Sequence, residues 1–177
     1  MRKALVIVDM QNDFINGCLG TPEAQAIVDD VVNYALDFEG DVIVTMDTHF
    51  ADYENTQEGR RLPVVHCMRD TDGWQLTPEL YDISIKHTIE KDTFGSIELA
   101  EMIVAEDYTK VEFCGVCTDI CVISNALLVK AFAPEVEIRV LKDLCAGVTP
   151  ESHETALKVM QACQIDVVNV FNKEDEQ

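Results

Sequence analysis

Short apolar runs rich in valine and isoleucine recur along the chain at 4–8, 42–46, 83–89, 111–116, 136–141 and 167–171, with longer amphipathic stretches between them. Parallel strands covered on both faces read as continuous runs of this kind, because neither face meets water. The amphipathic stretches fit helices at 23–38, 97–105, 119–132 and 150–163, the last with Thr149 as its cap and Pro150 at its first position. This alternation predicts βαβ units, and hence a three-layer α/β/α sandwich around a mainly parallel sheet of about six strands. The 177 residues suffice for one complete core, and no repeat, low-complexity tract or Pro/Gly/Ser-rich linker divides them, so a single domain over 1–177 is expected. Only 48–80 resists the scheme. A polar stretch that long inside a compact domain is more often functional than idle.

Thirteen basic against 33 acidic residues leave a formal charge of −20, which repels nucleic-acid phosphates and anionic lipid surfaces. Met1-Arg2-Lys3 has the charge of a secretory leader, but the apolar run behind it stops at Asp9, and no later run is long enough to span a bilayer. A cytoplasmic location is therefore expected. In that reducing compartment the seven cysteines are expected to be free thiols, ligands or a nucleophile instead of a disulfide framework. The same acidity opposes thiolate formation, so a reactive cysteine here needs a local cation, a helix terminus or a metal.

In open parallel α/β sheets, ligands bind beyond the carboxyl ends of the strands. Asp9 stands at the end of the first run, Asp47 and His49 after the second, Lys91 after the third and Thr118-Asp119-Ile120-Cys121 after the fourth. An acid, a cation and a thiol on one rim are the parts of a nucleophilic site. In the segment GVCTDICV, Cys117 falls in the turn, while Cys114 lies just before the segment, inside a strand where burial raises a thiol's pKa. Cys121 falls in the first turn of the following helix, where free N–H groups and the helix dipole favour a thiolate, which makes it the candidate nucleophile. Cys114 and Cys117 also form a CxxC between a strand and a helix, as in thioredoxin-like redox proteins, an alternative that leaves Asp9, Lys91 and Asp47-Thr48-His49 without a task. His153-Glu154 opens an HExxH zinc motif, but position 157 is leucine and the motif fails.

The segments ALVIVDMQNDF, IEKDTFGS and GVCTDICV resemble, in that order and over nearly the whole chain, the signatures of the nicotinamidase/isochorismatase-like cysteine hydrolases. The resemblance implies Asp9 as base, Lys91 as the cation that holds the charges in place and Cys121 as a nucleophile that forms a thioester with a small carboxamide. It also implies an oxyanion site made by the backbone N–H groups of Cys117 and Cys121, with a cis peptide between Val116 and Cys117. Asp47, His49 and His66, with Glu58 as a further ligand, resemble the family's metal set. Their donors suit zinc first, and manganese or iron as well. Phe14 matches an aromatic that packs on the substrate ring. Leu62 stands where a second aromatic would be expected before Pro63, and Trp74 is placed to supply a ring from elsewhere or to close a subunit contact. Nicotinamide is the leading substrate on this resemblance, with other small amides and carbamoyl compounds as alternatives, and a homo-oligomer is implied.

Overall fold

Valine- and isoleucine-rich runs become strands where layers on both sides can cover them, and the computed structural model, which describes residues 2–171, builds one sheet from them. Its strands are β1 (Lys3–Val8), β2 (Asp41–Asp47), β3 (Ile85–Lys91), β4 (Lys110–Val116), β5 (Glu137–Ala146) and β6 (Asp166–Val168). They lie in the order β3-β2-β1-β4-β5-β6, and every neighbouring pair is parallel. The central strands β1 and β4 are buried along almost their whole length.

The helices are α1 (Asn12–Ile15), α2 (Pro22–Ala26), α3 (Val28–Leu36), α4 (Gln57–Arg61), α5 (Ile97–Ala105), α6 (Ile123–Phe132) and α7 (Pro150–Ala162). Helices α5, α6 and α7 pack in sequence against one another, α2 packs on α3, and β5 touches both groups, which sets the sheet between two helical layers. Thr149 caps α7 through a reciprocal bond with Ser152, and Pro150 opens the helix. Among the described residues no helix is long and apolar enough to cross a membrane.

Several boundaries differ from the sequence expectation. The third strand begins at Ile85 and runs through to Lys91, alternating exposed residues with inward ones that are half-buried at Ile85 and His87 and buried at Ile89 and Lys91. It is an edge strand, so its outward face meets water and the apolar run is interrupted. The last strand, also at an edge, stops at Val168. The expected helix over 23–38 is two helices joined at Ile27. The stretch expected as one helix over 119–132 opens with a wide π-helical turn, Thr118–Val122, before α6 begins. Within 48–80 the chain forms α4 and two single 3₁₀ turns, Tyr53–Asn55 and Pro78–Leu80.

Because β1 pairs with β2 on one side and β4 on the other, the strand order reverses beside β1, and a crevice is expected at the carboxyl ends of β1 and β4. Gly115 permits the close approach there. It pairs with Val8, has φ of +108°, and a Cβ on it would overlap the Val8 carbonyl oxygen. The Gly115→Ala change is therefore expected to lower the urea unfolding free energy by at least about 2 kcal/mol, since it combines a left-handed backbone with a steric overlap. An unchanged midpoint would show that the two strands can part without cost.

Candidate active site

The first strand ends in a left-handed residue: Asp9 has φ of +49°, a conformation that aspartate tolerates better than most side chains. Its carboxylate is fully buried. Thr45 Oγ1 donates to Asp9 Oδ1 at 2.7 Å, and Lys91 Nζ lies 2.7 Å from Oδ2. That second contact is a close ion pair between two buried side chains. Lys91, the last residue of β3 and only 5% exposed, also approaches Cys121 Sγ at 3.6 Å and Asp47 Oδ1 at 3.4 Å. Asp9, Lys91 and Cys121, distant in sequence, thus meet in one buried site.

Burial sets the acid–base character of the group. It raises the Asp9 carboxyl pKa, an effect that the Lys91 charge opposes and the Asp47 charge reinforces. Burial also drives the Cys121 thiol well above its ordinary value, with Asp9 adding to the rise and Lys91 opposing it. Lys91 behaves the other way: burial disfavours its charge, but Asp9, Cys121 and Asp47 outweigh that and raise its pKa. Burial and Asp9 thus act on the Cys121 thiol against the helix end and Lys91. The thiol lies in a π-helical turn and is 5% exposed, so at rest it keeps its proton beside a carboxylate able to take it.

The other cysteines separate clearly. Cys114 lies wholly in the core of β4, its Sγ against the Val6 carbonyl oxygen, and burial raises its pKa strongly. A CxxC exchange through a thiol with no solvent access is thus disfavoured. Cys117 is half-buried and its thiol is pushed up to about 12, mainly by burial. The Val116–Cys117 peptide is cis, as the resemblance implies. Among the described residues, the Cys117 amide donates to no protein acceptor.

The metal set assembles beside this group. Asp47, His49, Glu58 and His66 each turn one donor atom inward, and these atoms all lie within 4.8 Å of one another. His49 Nε2 and His66 Nε2 lie 2.9 and 3.4 Å from Asp47 Oδ2, and 3.6 and 3.8 Å from Glu58 Oε1. A tetrahedral shell with bonds of about 2.0–2.1 Å would separate its donors by roughly 3.3 Å, so the set has room for a divalent ion. His66 Nδ1 is tied to the Val64 carbonyl oxygen at 2.7 Å, which leaves Nε2 facing the cluster. Burial and the neighbouring Asp47 raise the Glu58 pKa, whereas hydrogen bonds from both histidines overcome burial and hold Asp47 well below the usual carboxylate range. Two carboxylates and two imidazoles drawn together in this way fit a cation.

Phe14 is half-buried and packs edge-on against His66, with the ring centroids 5.5 Å apart. Trp74 is half-buried and its Nε1 donates to Thr48 Oγ1 at 2.9 Å, beside the metal set. Leu62 is an exposed residue whose carbonyl accepts from Tyr53. A cleft of about 520 Å³ lies against His49 and Glu58, walled by Phe50, Tyr53, Arg61 and Phe94.

Some positioning residues were not apparent in the sequence. Gln11 is fully buried and clasps the Asp47 backbone, with Nε2 donating to the Asp47 carbonyl oxygen and Oε1 accepting from its amide, at 2.8 and 2.7 Å. Asp13 Oδ2 accepts the Cys67 amide at 2.8 Å, fixing the left-handed residue that follows His66. Asn125 donates to the Cys121 carbonyl oxygen at 2.8 Å and accepts the Ser96 amide at 2.9 Å, joining the nucleophile turn to the loop after Lys91. The only sequence signal for these was polarity inside otherwise apolar segments.

Comparisons with known proteins place the chain in a family and a fold. A family model described as the isochorismatase domain matches residues 3–170. An uncharacterised isochorismatase family protein, PncA, of Bacillus subtilis is 30% identical over 89% of this chain and 93% of its own length. The nicotinamidase/pyrazinamidase of Mycobacterium tuberculosis is 26% identical over 94% of this chain and 98% of its own. The crystal structure of the pyrazinamidase of Pyrococcus horikoshii in complex with zinc aligns with a TM-score of 0.82 at 28% identity, covering 96% of this chain and 99% of that one.

Replacing Lys91 by alanine is expected to cost about 3–5 kcal/mol in unfolding, because it strands a buried carboxylate. It should also move the pH profile of Cys121 alkylation upward, since Lys91 opposes the rise in the thiol's pKa. An unchanged alkylation profile would refute that electrostatic role.

Proposed function

Because the chain belongs to the isochorismatase family and is a hydrolase acting on C–N bonds, we propose that it deaminates a small neutral carboxamide, with nicotinamide as the leading substrate, through a thioester on Cys121. The observation that carries this reading is the meeting of Cys121, Asp9 and Lys91 in one buried pocket next to the Asp47, His49, Glu58 and His66 set.

In the first half-reaction, Cys121 Sγ bonds to the amide carbon while its proton passes to Asp9. The raised pKa of Asp9 makes it a stronger base than an ordinary carboxylate, suited to a thiol that holds its proton at rest. The carbonyl oxygen becomes an oxyanion, for which the Cys117 and Cys121 amides are the donors. Each such donor is worth about 3 kcal/mol in the transition state. The C–N bond then breaks and Asp9 returns the proton to the leaving nitrogen, giving ammonia. In the second half-reaction Asp9 takes a proton from water as its oxygen attacks the thioester. The C–S bond breaks, the proton held by Asp9 goes back to the sulfur, and the carboxylic acid so formed gives its remaining proton to solvent and departs as the carboxylate. Lys91 keeps its charge throughout and stabilises Asp9 and the transient thiolate in turn.

Asp47, His49, Glu58 and His66 would hold a divalent ion, zinc by preference of the donor set, and such an ion would supply Lewis-acid polarisation at that wall of the site. Phe14, lying edge-on to His66, offers an apolar surface to a planar ring. The charge of −20 favours an uncharged amide over an anionic carbamoyl acid and repels the carboxylate product once it forms.

Ammonia release from nicotinamide and from a panel of small amides tests the reading directly. Wild type should release ammonia from nicotinamide, while Cys121→Ala and Asp9→Asn should both lose at least about a hundredfold in kcat with the fold intact. Undiminished turnover by Asp9→Asn would remove it as the base. Chelation should lower activity, and the double change Asp47→Ala, His49→Ala should reduce bound metal as measured by elemental analysis. Full occupancy in that variant would refute the metal assignment.

A further inference from the structure

The π-helical turn that carries Cys121 has no side-chain cap of its own: Cys117 precedes it in an extended conformation and accepts no such bond. Two of its residues are instead held from outside, by the junction between β5 and α7. Asp119 Oδ1 accepts the Val148 amide at 3.0 Å. Thr118, fully buried at the start of the turn, meets His153 Nδ1 through its hydroxyl at 2.8 Å. His153 is half-buried on the first turns of α7, and its own amide bonds to the Thr149 carbonyl oxygen at 3.0 Å. That bond places the imidazole on a helix start already rigidified by the Thr149–Ser152 cap.

Among the described residues, His153 Nδ1 is the one recorded partner of the Thr118 hydroxyl. Burial is the leading cause that holds the imidazole's pKa below its usual value. The ring is therefore neutral near pH 7, and with its proton on Nε2, Nδ1 can accept. Thr118 adjoins Cys117, whose amide donates to no acceptor among the described residues, and lies three residues before Cys121. A shift at Thr118 would move both groups at once.

We propose that His153 is a positioning residue of the hydrolytic site, acting through Thr118 to fix the turn that presents the Cys121 thiol and the Cys117 amide. The inference rests on the cysteine-hydrolase reading above, but the placement of the thiol is measurable without any amide substrate. His153→Leu removes the acceptor and keeps an apolar bulk, His153→Asn retains an acceptor near the place of Nδ1, and Thr118→Val removes the hydroxyl with little change of shape.

The experiment compares these three variants, and the double variant His153→Leu with Thr118→Val, in a double-mutant cycle. The first readout is the rate of iodoacetamide alkylation at Cys121, located by peptide fragmentation in a mass spectrometer. The second is kcat and KM for nicotinamide, and the melting temperature of each variant is recorded beside them. The expected result is a roughly tenfold loss in alkylation rate and in kcat for His153→Leu, the size of one neutral hydrogen bond, with KM little changed. Thr118→Val and the double variant should show the same loss instead of the product of two, and His153→Asn should recover most of it. Wild-type or faster alkylation in His153→Leu, multiplicative losses in the double variant, or no recovery with His153→Asn would each overturn the proposal. If wild type released no ammonia from any amide while the alkylation cycle behaved as expected, the substrate reading would fail and the positioning role would stand.

Discussion

A single ammonium, that of Lys91, makes this site possible. Three groups that would not otherwise share a buried pocket surround it: the Asp9 carboxylate, the Asp47 carboxylate and the Cys121 thiol. Removing charges from water costs several kcal/mol each unless they are paired and hydrogen-bonded, and in a chain with 33 acidic residues the surrounding field adds to the cost of a further anion. With Lys91 in place, Asp9 can remain a carboxylate near the thiol and Asp47 can remain ionised near the histidines. The lysine reaches them because β3 pairs with β2 in register, Lys91 beside Asp47, and β2 pairs in turn with β1, whose exit carries Asp9.

Asp47 divides its two oxygens between the halves of the site. Oδ1 faces Lys91, and Oδ2 faces His49 and His66. A cation held among the candidate ligands would therefore act on the same carboxylate as the charge on Lys91, which would tie the electrostatics of the thiol to those of the ligands. The backbone supports this division through alternate positions after β1. Asp9 addresses the thiol, Gln11 holds the Asp47 backbone, and Asp13 holds the residue after His66. The segment 72–77 then lies along residues 10–13, fastened by bonds such as Thr77 N to Met10 O and Asn12 N to Gln75 O, each 2.9 Å. A long polar stretch that looks irregular in the sequence is thus stitched to the residues that follow the strand ending at Asp9.

The sheet was legible because its inner strands are covered on both faces, a condition that writes itself as unbroken valine and isoleucine. The edge strands were less legible for the same reason, since β3 and β6 each have less to bury, and their limits shift accordingly. The chemistry was readable where it falls at strand ends: Asp9, Asp47, Lys91 and Cys121 all stand at that rim. Gln11, Asn125 and the Thr118–His153 pair were not readable, because their value lies in partners distant in the chain, and a buried amide or hydroxyl carries no local mark of whom it will bond. His153 shows the point well. As part of a sequence motif it fails, yet in space it meets the nucleophile turn.

The buried thiol also bears on how reactivity is rationed. A cysteine with a depressed pKa is a thiolate at all times and reacts with any small electrophile or oxidant that reaches it. Cys121 is instead held protonated by burial and by Asp9, with Lys91 acting against them. On the proposed mechanism, proton transfer to Asp9 would become favourable only when an electrophilic carbon sits against the sulfur and the growing charge can be passed on to the oxyanion donors. Much of the site's electrostatic stabilisation is then expressed in the transition state. Cys18 and Cys163 are exposed whereas Cys121 is buried, so on the proposed mechanism selectivity would come from the placement of a proton acceptor instead of from standing ionisation.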